Sequence, residues 1–278
     1  MSTHPNNNNW FATVIVVIVG VFIAWQFLAT GTRHGAGRGP IGPPTRTLPA
    51  PPRQNPIARM LEDRSNVVRQ PGIAVAVLVD VSGSMQESVS GAYGQTQPKI
   101  EIARVSVLRL LGQIDRFARE HADKRVVVGV YEFSARAREP SCRRVVAMGP
   151  PDLARMQSAV NTMVAEGDTP IGDALIYAKR ELNATGMAGQ HILVVTDGEN
   201  NRGYAPADVV DVISQLPEEQ RASVYCIAFD IAADRFRAVR DAGGLVLGAM
   251  NEGELQQTMD YVLTGKILAE QPEAPKVH

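Results

Sequence analysis

Two cysteines among 278 residues are too few to staple a fold, and no CxxC pair offers a zinc site. Cys226 lies in the apolar run 223–229 and reads as a small buried hydrophobe. Cys142 follows Pro140 and Ser141 in what reads as a loop, and no disulfide to Cys226 is expected, because the two segments fall far apart in the chain's pattern. Aromatic residues make up only 5% of the chain against a hydrophobic share of 45%, so Val, Ile, Leu and Ala must build the core, as in buried parallel sheets. The 28 basic and 29 acidic residues leave a formal charge of -1. No basic face and no aromatic-plus-basic stripe is present, which excludes a nucleic-acid partner. The chain has no GxGxxG after its first strand and no GxxxxGK[ST], so dinucleotide and P-loop chemistry are excluded. Residues 1–9 contain no Lys or Arg, which removes the basic start that a signal peptide needs.

Trp10 to Leu28 is almost wholly apolar, with Gln26 the one strongly polar residue inside it. About 20 residues at about 1.5 Å each span the hydrocarbon core of a bilayer. Trp10 at one end and Trp25 with Phe27 at the other suit the two interfaces. A transmembrane helix is therefore expected over 10–29, after a short polar tail at 1–9. Arg33, Arg38 and Arg46 follow the helix and no Lys or Arg precedes it, so the positive-inside rule puts the following domain on the cytoplasmic side, with the periplasmic or extracellular side as the alternative. Gly35-Ala36-Gly37, Gly42-Pro43-Pro44 and Pro49-Ala50-Pro51-Pro52 mark a tether, placed at residues 30–60. A domain is expected over 61–266, and a flexible tail over 267–278.

Inside the domain, strand and helix patterns alternate. Ile73 to Val79 is a continuous apolar run after Pro71-Gly72 and predicts a strand buried on both faces. Ala103, Val107, Leu110, Ile114 and Phe117 recur at steps of three and four and predict a helix with one apolar face. Further strands are expected over 125–133, 191–196, 223–229 and 245–247, with a short antiparallel edge strand at 145–148. Helices are expected over 152–164, from Thr169-Pro170 onward with Pro at the first position, and over 206–216, 234–240 and 252–263. This alternation predicts an α/β fold: a doubly wound, Rossmann-like, mostly parallel sheet with helices on both faces. In such sheets a ligand sits beyond the carboxyl ends of the central strands.

The first strand ends in Asp80-Val81-Ser82-Gly83-Ser84, a carboxylate and two hydroxyls at alternate positions, with Gly83 expected to allow a tight turn. The run 191–196 ends in Asp197-Gly198, and Thr169 stands at a helix start between them. All five candidates, Asp80, Ser82, Ser84, Thr169 and Asp197, are oxygen donors, which favours Mg²⁺, Mn²⁺ or Ca²⁺ over zinc or copper. Plain structural roles compete with this reading. Ser82 and Ser84 could cap a helix, Thr169 could be an N-cap, and Asp197 could be a turn residue. Asp168 and Asp173 read as first-turn acids that suit a helix dipole, Asn200 and Asn201 as polar loop or as the rim of the site, and His191 as structural. The sequon Asn183-Ala184-Thr185 matters only outside the cell in a glycosylating host.

Asp-x-Ser-x-Ser after the first strand, the distant Thr and the later Thr-Asp-Gly resemble the metal-ion-dependent adhesion site of von Willebrand factor type A domains. The likeness covers residues 70–265, and the words around Asp80 and Thr169 resemble membrane-anchored bacterial members. The resemblance implies that Ser82, Ser84 and Thr169 give hydroxyl oxygens to a divalent cation, Mg²⁺ first. It implies that Asp80 and Asp197 hold the ion through waters and hydroxyls. An open position would then take a Glu or Asp of a protein partner. The implied function is a membrane-tethered binding module, without enzyme activity and without a small-molecule substrate. Two other functions stay open: a metal-dependent hydrolase or phosphoryl-transfer enzyme, and a degenerate packing module without metal. A haloacid-dehalogenase-like phosphatase wants a second Asp where Ser82 stands, and no nucleophile–base pair is evident. The stretch 86–98 is long for the family and rich in Gly, Ser and Gln, and is read as a recognition loop or a lid.

Overall fold

A computed structural model of the chain describes residues 55–62, 67–90 and 95–270. The expected transmembrane helix at 10–29 and most of the expected tether lie outside the described residues. Among the described residues, no helix is long and apolar enough to cross a membrane.

The fold is organised by β1 (Gln70–Asp80), in which every residue from Gly72 onward is buried. Its side chains alternate between two cores. Ile73, Val75, Val77 and Val79 face one, and Ala74, Ala76 and Leu78 face the other. The long apolar run that lacks polar alternation thus makes a strand covered on both sides. The remaining strands of the sheet are β4 (Val126–Phe133), β5 (Cys142–Gly149), β6 (Met187–Thr196), β7 (Ser223–Phe229) and β8 (Leu245–Ala249). Their order is β5-β4-β1-β6-β7-β8, all parallel except the edge strand β5, which runs antiparallel to β4. The expected doubly wound sheet is present.

The first core carries α2 (Lys99–Glu120), α3 (Leu153–Val160) and α7 (Glu252–Val262). The second carries α1 (Pro56–Leu61), α4 (Ile171–Asn183), α5 (Pro206–Gln215) and α6 (Arg237–Asp241). The apolar stripe expected on α2 is buried through Ala103, Val107, Leu110 and Ile114. Winding reverses between β1 and β6: the chain runs from β1 outward to β4 and β5 on one side, and from β6 to β7 and β8 on the other. The crevice at the carboxyl ends of β1 and β6 is therefore the switch point of the fold.

Several boundaries differ from expectation. The helix α1 lies within the span read as tether. Pro56 sits in its first turn, Asn55 accepts a hydrogen bond from the Ile57 amide at 2.9 Å, and Ile57 and Leu61 are buried. The strand β5 starts at Cys142 rather than 145, so Cys142 is a buried strand residue and not in a loop. It is separated from Cys226 on β7 by β4, β1 and β6, and both cysteines are free. Helix α3 stops at Val160 rather than 164: the Thr162 and Met163 amides donate to carbonyls three residues back, Ala159 at 3.1 Å and Val160 at 3.2 Å, in place of the α-helical bonds four residues back. Pro170 occupies the cap position of α4 instead of its first helical position. The stretch 233–236 is a 3-10 turn leading into α6. The chain after α7 stays packed: Ile267 is fully buried and the Glu270 carboxylate lies 3.1 Å from His191 Nε2. His191 is buried at the start of β6, its Nδ1 lies 3.3 Å from the Tyr225 hydroxyl, and it is structural as expected. Within 86–98 the described residues form a hairpin of β2 (Ser88–Ser90) and β3 (Thr96–Pro98).

Candidate functional site at the carboxyl ends of β1 and β6

Asp80 is the last residue of β1 and is fully buried. Its Oδ1 accepts the Ser82 amide at 2.7 Å, and its Oδ2 accepts the Thr196 hydroxyl at 2.5 Å. Burial pushes the Asp80 carboxyl up to about 7, against the pull of the bonds from Thr196 and Ser82. Among the described residues no Lys or Arg pairs with it. A buried carboxylate lacking a cation is costly to keep charged.

Beyond Asp80 the chain enters a 3-10 turn, Gly83–Gln86, pinned beneath by the buried Met85. Ser82 stands at its cap position but makes no capping bond. The Ser82 and Ser84 hydroxyl oxygens lie 3.1 Å apart, and the Ser84 hydroxyl donates to Asp197 Oδ1 at 2.7 Å. Simple capping is therefore not what either serine does. The expected need for glycine at 83 is not borne out. A Cβ there would meet only ordinary contact, 3.6 Å from the Gly167 carbonyl oxygen. The constraint lies one loop away. Gly167 has φ +96, and a Cβ on it would come within 2.5 Å of the Ala135 carbonyl oxygen. This packing lets the Gly83 amide donate to the Gly167 carbonyl at 2.9 Å, which ties the serine turn to the Thr169 loop.

Thr169 is buried and stands one residue before Pro170, the cap residue of α4. Its place is set by Asn201, whose Oδ1 accepts the Thr169 amide at 2.7 Å and whose own amide donates to the Thr169 carbonyl at 3.1 Å. Asn200 Oδ1 accepts the Gly172 amide at 3.3 Å. The two asparagines are thus latches between the loop after β6 and the start of α4, neither filler nor mere rim. Asp173 sits in the first turn of α4 and accepts the Tyr204 amide at 3.1 Å, a further latch on the same loop. Asp168 is exposed, and its backbone bridges to Ala135. A Cβ on Gly198 would lie 3.3 Å from the Thr169 hydroxyl oxygen and 3.7 Å from that of Ser84, so both hydroxyls face the same small space.

Asp197 is buried directly after β6. With its Oδ1 on Ser84, its Oδ2 accepts the Lys99 ammonium at 3.0 Å. Lys99 itself is only 4% exposed. Desolvation works against its charge, but hydrogen bonds to Asp197 and Asp230 outweigh it and hold the ammonium well above the usual lysine range. Sequence patterns did not single out Lys99. A usable signal existed: a lysine as first residue of a helix opposes the helix dipole, and so needs a reason.

All five expected residues meet here. Each oxygen of both carboxylates already accepts a bond from a protein donor. Three neutral hydroxyls, those of Ser82, Ser84 and Thr169, remain with lone pairs to offer, and a hydroxyl that gives its proton to a carboxylate is well placed to donate electrons to a cation. This donor set fits a small hard cation and no soft one.

A model of the von Willebrand factor type A domain matches residues 74–256. Among solved structures, BatB, a conserved hypothetical protein from Bacteroides thetaiotaomicron, superposes with a TM-score of 0.54 at 16% identity, over 72% of this chain and 100% of that one. The PilB minor pilin from Streptococcus sanguinis gives 0.54 at 16% identity, over 69% of this chain and 60% of the pilin. An aerotolerance-related membrane protein from Bacteroides fragilis gives 0.51 at 15% identity, over 72% of this chain and 100% of that one. No curated protein matches in sequence. The structural likenesses carry the fold alone. The sequence match spans β1 to α7 and includes all five residues at the switch point, and the chain belongs to the von Willebrand factor type A domain family.

Proposed function

We propose that this domain holds a divalent cation, Mg²⁺ first and Mn²⁺ or Ca²⁺ as alternatives, and uses it to grip a Glu or Asp of a protein partner. Ser82, Ser84 and Thr169 would hold the ion directly. Asp80 and Asp197 would act through water and through the hydroxyls they bind. Bound there, the ion supplies a positive centre that attracts an outside anion. The chain's own residues set that appetite. Both carboxylates are engaged by protein donors, so the direct donors are neutral and the cation keeps most of its charge. The observation that carries this reading is the fully buried Asp80 carboxylate, which has no cationic partner among the described residues.

The same geometry argues against catalysis. Ser84 donates to a carboxylate pinned by Lys99, and a carboxylate held by an ammonium is a poor general base. We read the domain as tethered by residues 10–29 to a membrane, facing the cytoplasm, in the assembly or regulation of a protein complex. The second reading, a packing module without metal, draws on one specific feature: Lys99 already brings a positive charge to Asp197.

Thermal unfolding of the full chain with Mg²⁺ or Mn²⁺, beside Ser84→Ala, separates the two. A ligand that binds only the folded state adds about 2.7 kcal/mol at a hundredfold excess over Kd. Stabilisation of the wild type that Ser84→Ala loses supports the metal reading. No shift with either ion at high millimolar levels favours the packing module.

A further inference from the structure

Lys99 stands in an improbable place. It opens α2, where the helix dipole disfavours a cation, and its side chain is buried. Three carboxylates from three separate segments compensate it: Asp197 at 3.0 Å, Asp230 at 3.0 Å and Glu87 at 3.1 Å. Asp197 follows β6. Asp230 follows β7 in a left-handed conformation, φ 55, with its amide donating to the Ala249 carbonyl at 2.8 Å. Asp tolerates that conformation better than most residues, and adopting it brings the carboxylate to Lys99.

Glu87 gives the cluster its wider meaning. Glu87 immediately precedes β2 and Lys99 immediately follows β3, so the two residues form the base of the hairpin. The Lys99 amide donates to the Glu87 carbonyl at 2.8 Å, and the side chains pair as well. Beyond this base, the described residues of the hairpin have little to hold them. Its pairing covers Ser88 to Pro98, Val89 to Gln97 and Ser90 to Thr96, and Val89 is the apolar side chain it packs against the core. A two-stranded hairpin of this length is marginal by itself.

We propose that Lys99 is a positioning residue that couples the β2–β3 hairpin to Asp197. The chain of contacts runs from hairpin to Glu87, Lys99, Asp197 and the Ser84 hydroxyl. A partner that moves the hairpin thereby shifts Asp197, and occupation of the site steadies the hairpin. The functional half of this coupling rests on the metal reading above; the mechanical half does not.

Hydrogen exchange of the full chain tests both halves. In EDTA, Asp197→Asn, a residue that among the described residues bonds to Ser84 and Lys99 and not to β2 or β3, is expected to speed exchange across residues 87–99 by at least about fivefold. Lys99→Met should do the same, and the double variant should do no more than either alone. Lys99→Arg, which keeps a charge, should stay nearer the wild type. Exchange in the centres of β1 and β6 reports whether each variant is folded, and Asp230→Asn serves as the milder substitute if Lys99→Met is not. With Mg²⁺, the wild-type hairpin should slow and the Lys99→Met hairpin should not. If Asp197→Asn leaves the hairpin at the wild-type rate while Lys99→Met loosens it, Lys99 only braces the hairpin and the coupling is wrong. If Mg²⁺ protects no part of the wild type, the metal reading fails, and the EDTA comparison still decides the coupling.

Discussion

Asp80→Asn should make the metal-free protein more stable, not less. The carboxyl is fully buried and its pKa stands at about 7 rather than 3.8. A group whose folded pKa is raised contributes its stability below the unfolded value and loses it as pH climbs to the folded one. The metal-free wild type should therefore lose stability between pH 3.8 and about 7 on this account, and stay at the lower level above. Three decades at about 1.4 kcal/mol each put the ceiling near 4 kcal/mol, and an expected range is about 2–4 kcal/mol at pH 8. Asn removes the charge and can keep the bonds. Its carbonyl can accept the Ser82 amide, and its amide can donate to Thr196, whose hydroxyl can turn its proton to the Gly198 carbonyl 3.1 Å away. Urea unfolding in EDTA followed by far-UV circular dichroism measures this. Tryptophan fluorescence is unsuited, since Trp10 and Trp25 both lie before the described domain. At pH 8 Asp80→Asn should be the more stable protein, and at pH 4 the two should converge. With Mg²⁺ the order should reverse, because a bound cation offsets the wild-type charge. A less stable Asp80→Asn in EDTA at pH 8 would refute the reasoning.

Further substitutions test the surrounding frame. Gly198→Ala puts a methyl 3.3 Å from the Thr169 hydroxyl oxygen, and should weaken Mg²⁺-dependent stabilisation while moving metal-free stability by less than about 1 kcal/mol, both read by thermal unfolding. Asn201→Ala frees the buried Thr169 amide, and should cost about 1–3 kcal/mol in urea unfolding as well as weaken metal binding. Glu270 is held below the usual carboxylate value by its hydrogen bond to His191, with desolvation opposing. Its contribution is present above pH 4.5 and lost as pH falls through the lower folded value, so Glu270→Gln should reduce Tm at pH 6 and converge with the wild type in acid.

Much of the fold is legible in the sequence because the central strands are buried on both faces. Val75, Val77 and Val79 with Ala74, Ala76 and Leu78 leave no polar alternation to confuse a strand with a surface element. The five candidate residues are legible for a related reason: Asp80 ends β1, Ser82 and Ser84 lie in the turn that follows it, Asp197 follows β6 and Thr169 lies just before α4, so position along the chain determines position in space. What escaped detection depends on contacts between distant segments. Lys99 gains its meaning only when β6 and β7 bring Asp197 and Asp230 to it, and Asn201 only when its loop folds over Thr169. The helix α1 is hidden by Pro52 before it and Pro56 in its first turn, which mark a linker in composition while Ile57 and Leu61 mark a packed turn. Gly83 invited a steric role that belongs to Gly167, because a glycine's need is set by what lies opposite it, and that is the Ala135 carbonyl.

The most direct test of the central claim is a crystal of the protein grown with Mn²⁺ and measured for anomalous scattering at the manganese edge. A peak is expected among the hydroxyl oxygens of Ser82, Ser84 and Thr169, with neither Asp80 nor Asp197 bound to it directly and with an outside oxygen completing its shell. No peak at millimolar Mn²⁺, or an ion gripped directly by both carboxylates, would contradict it.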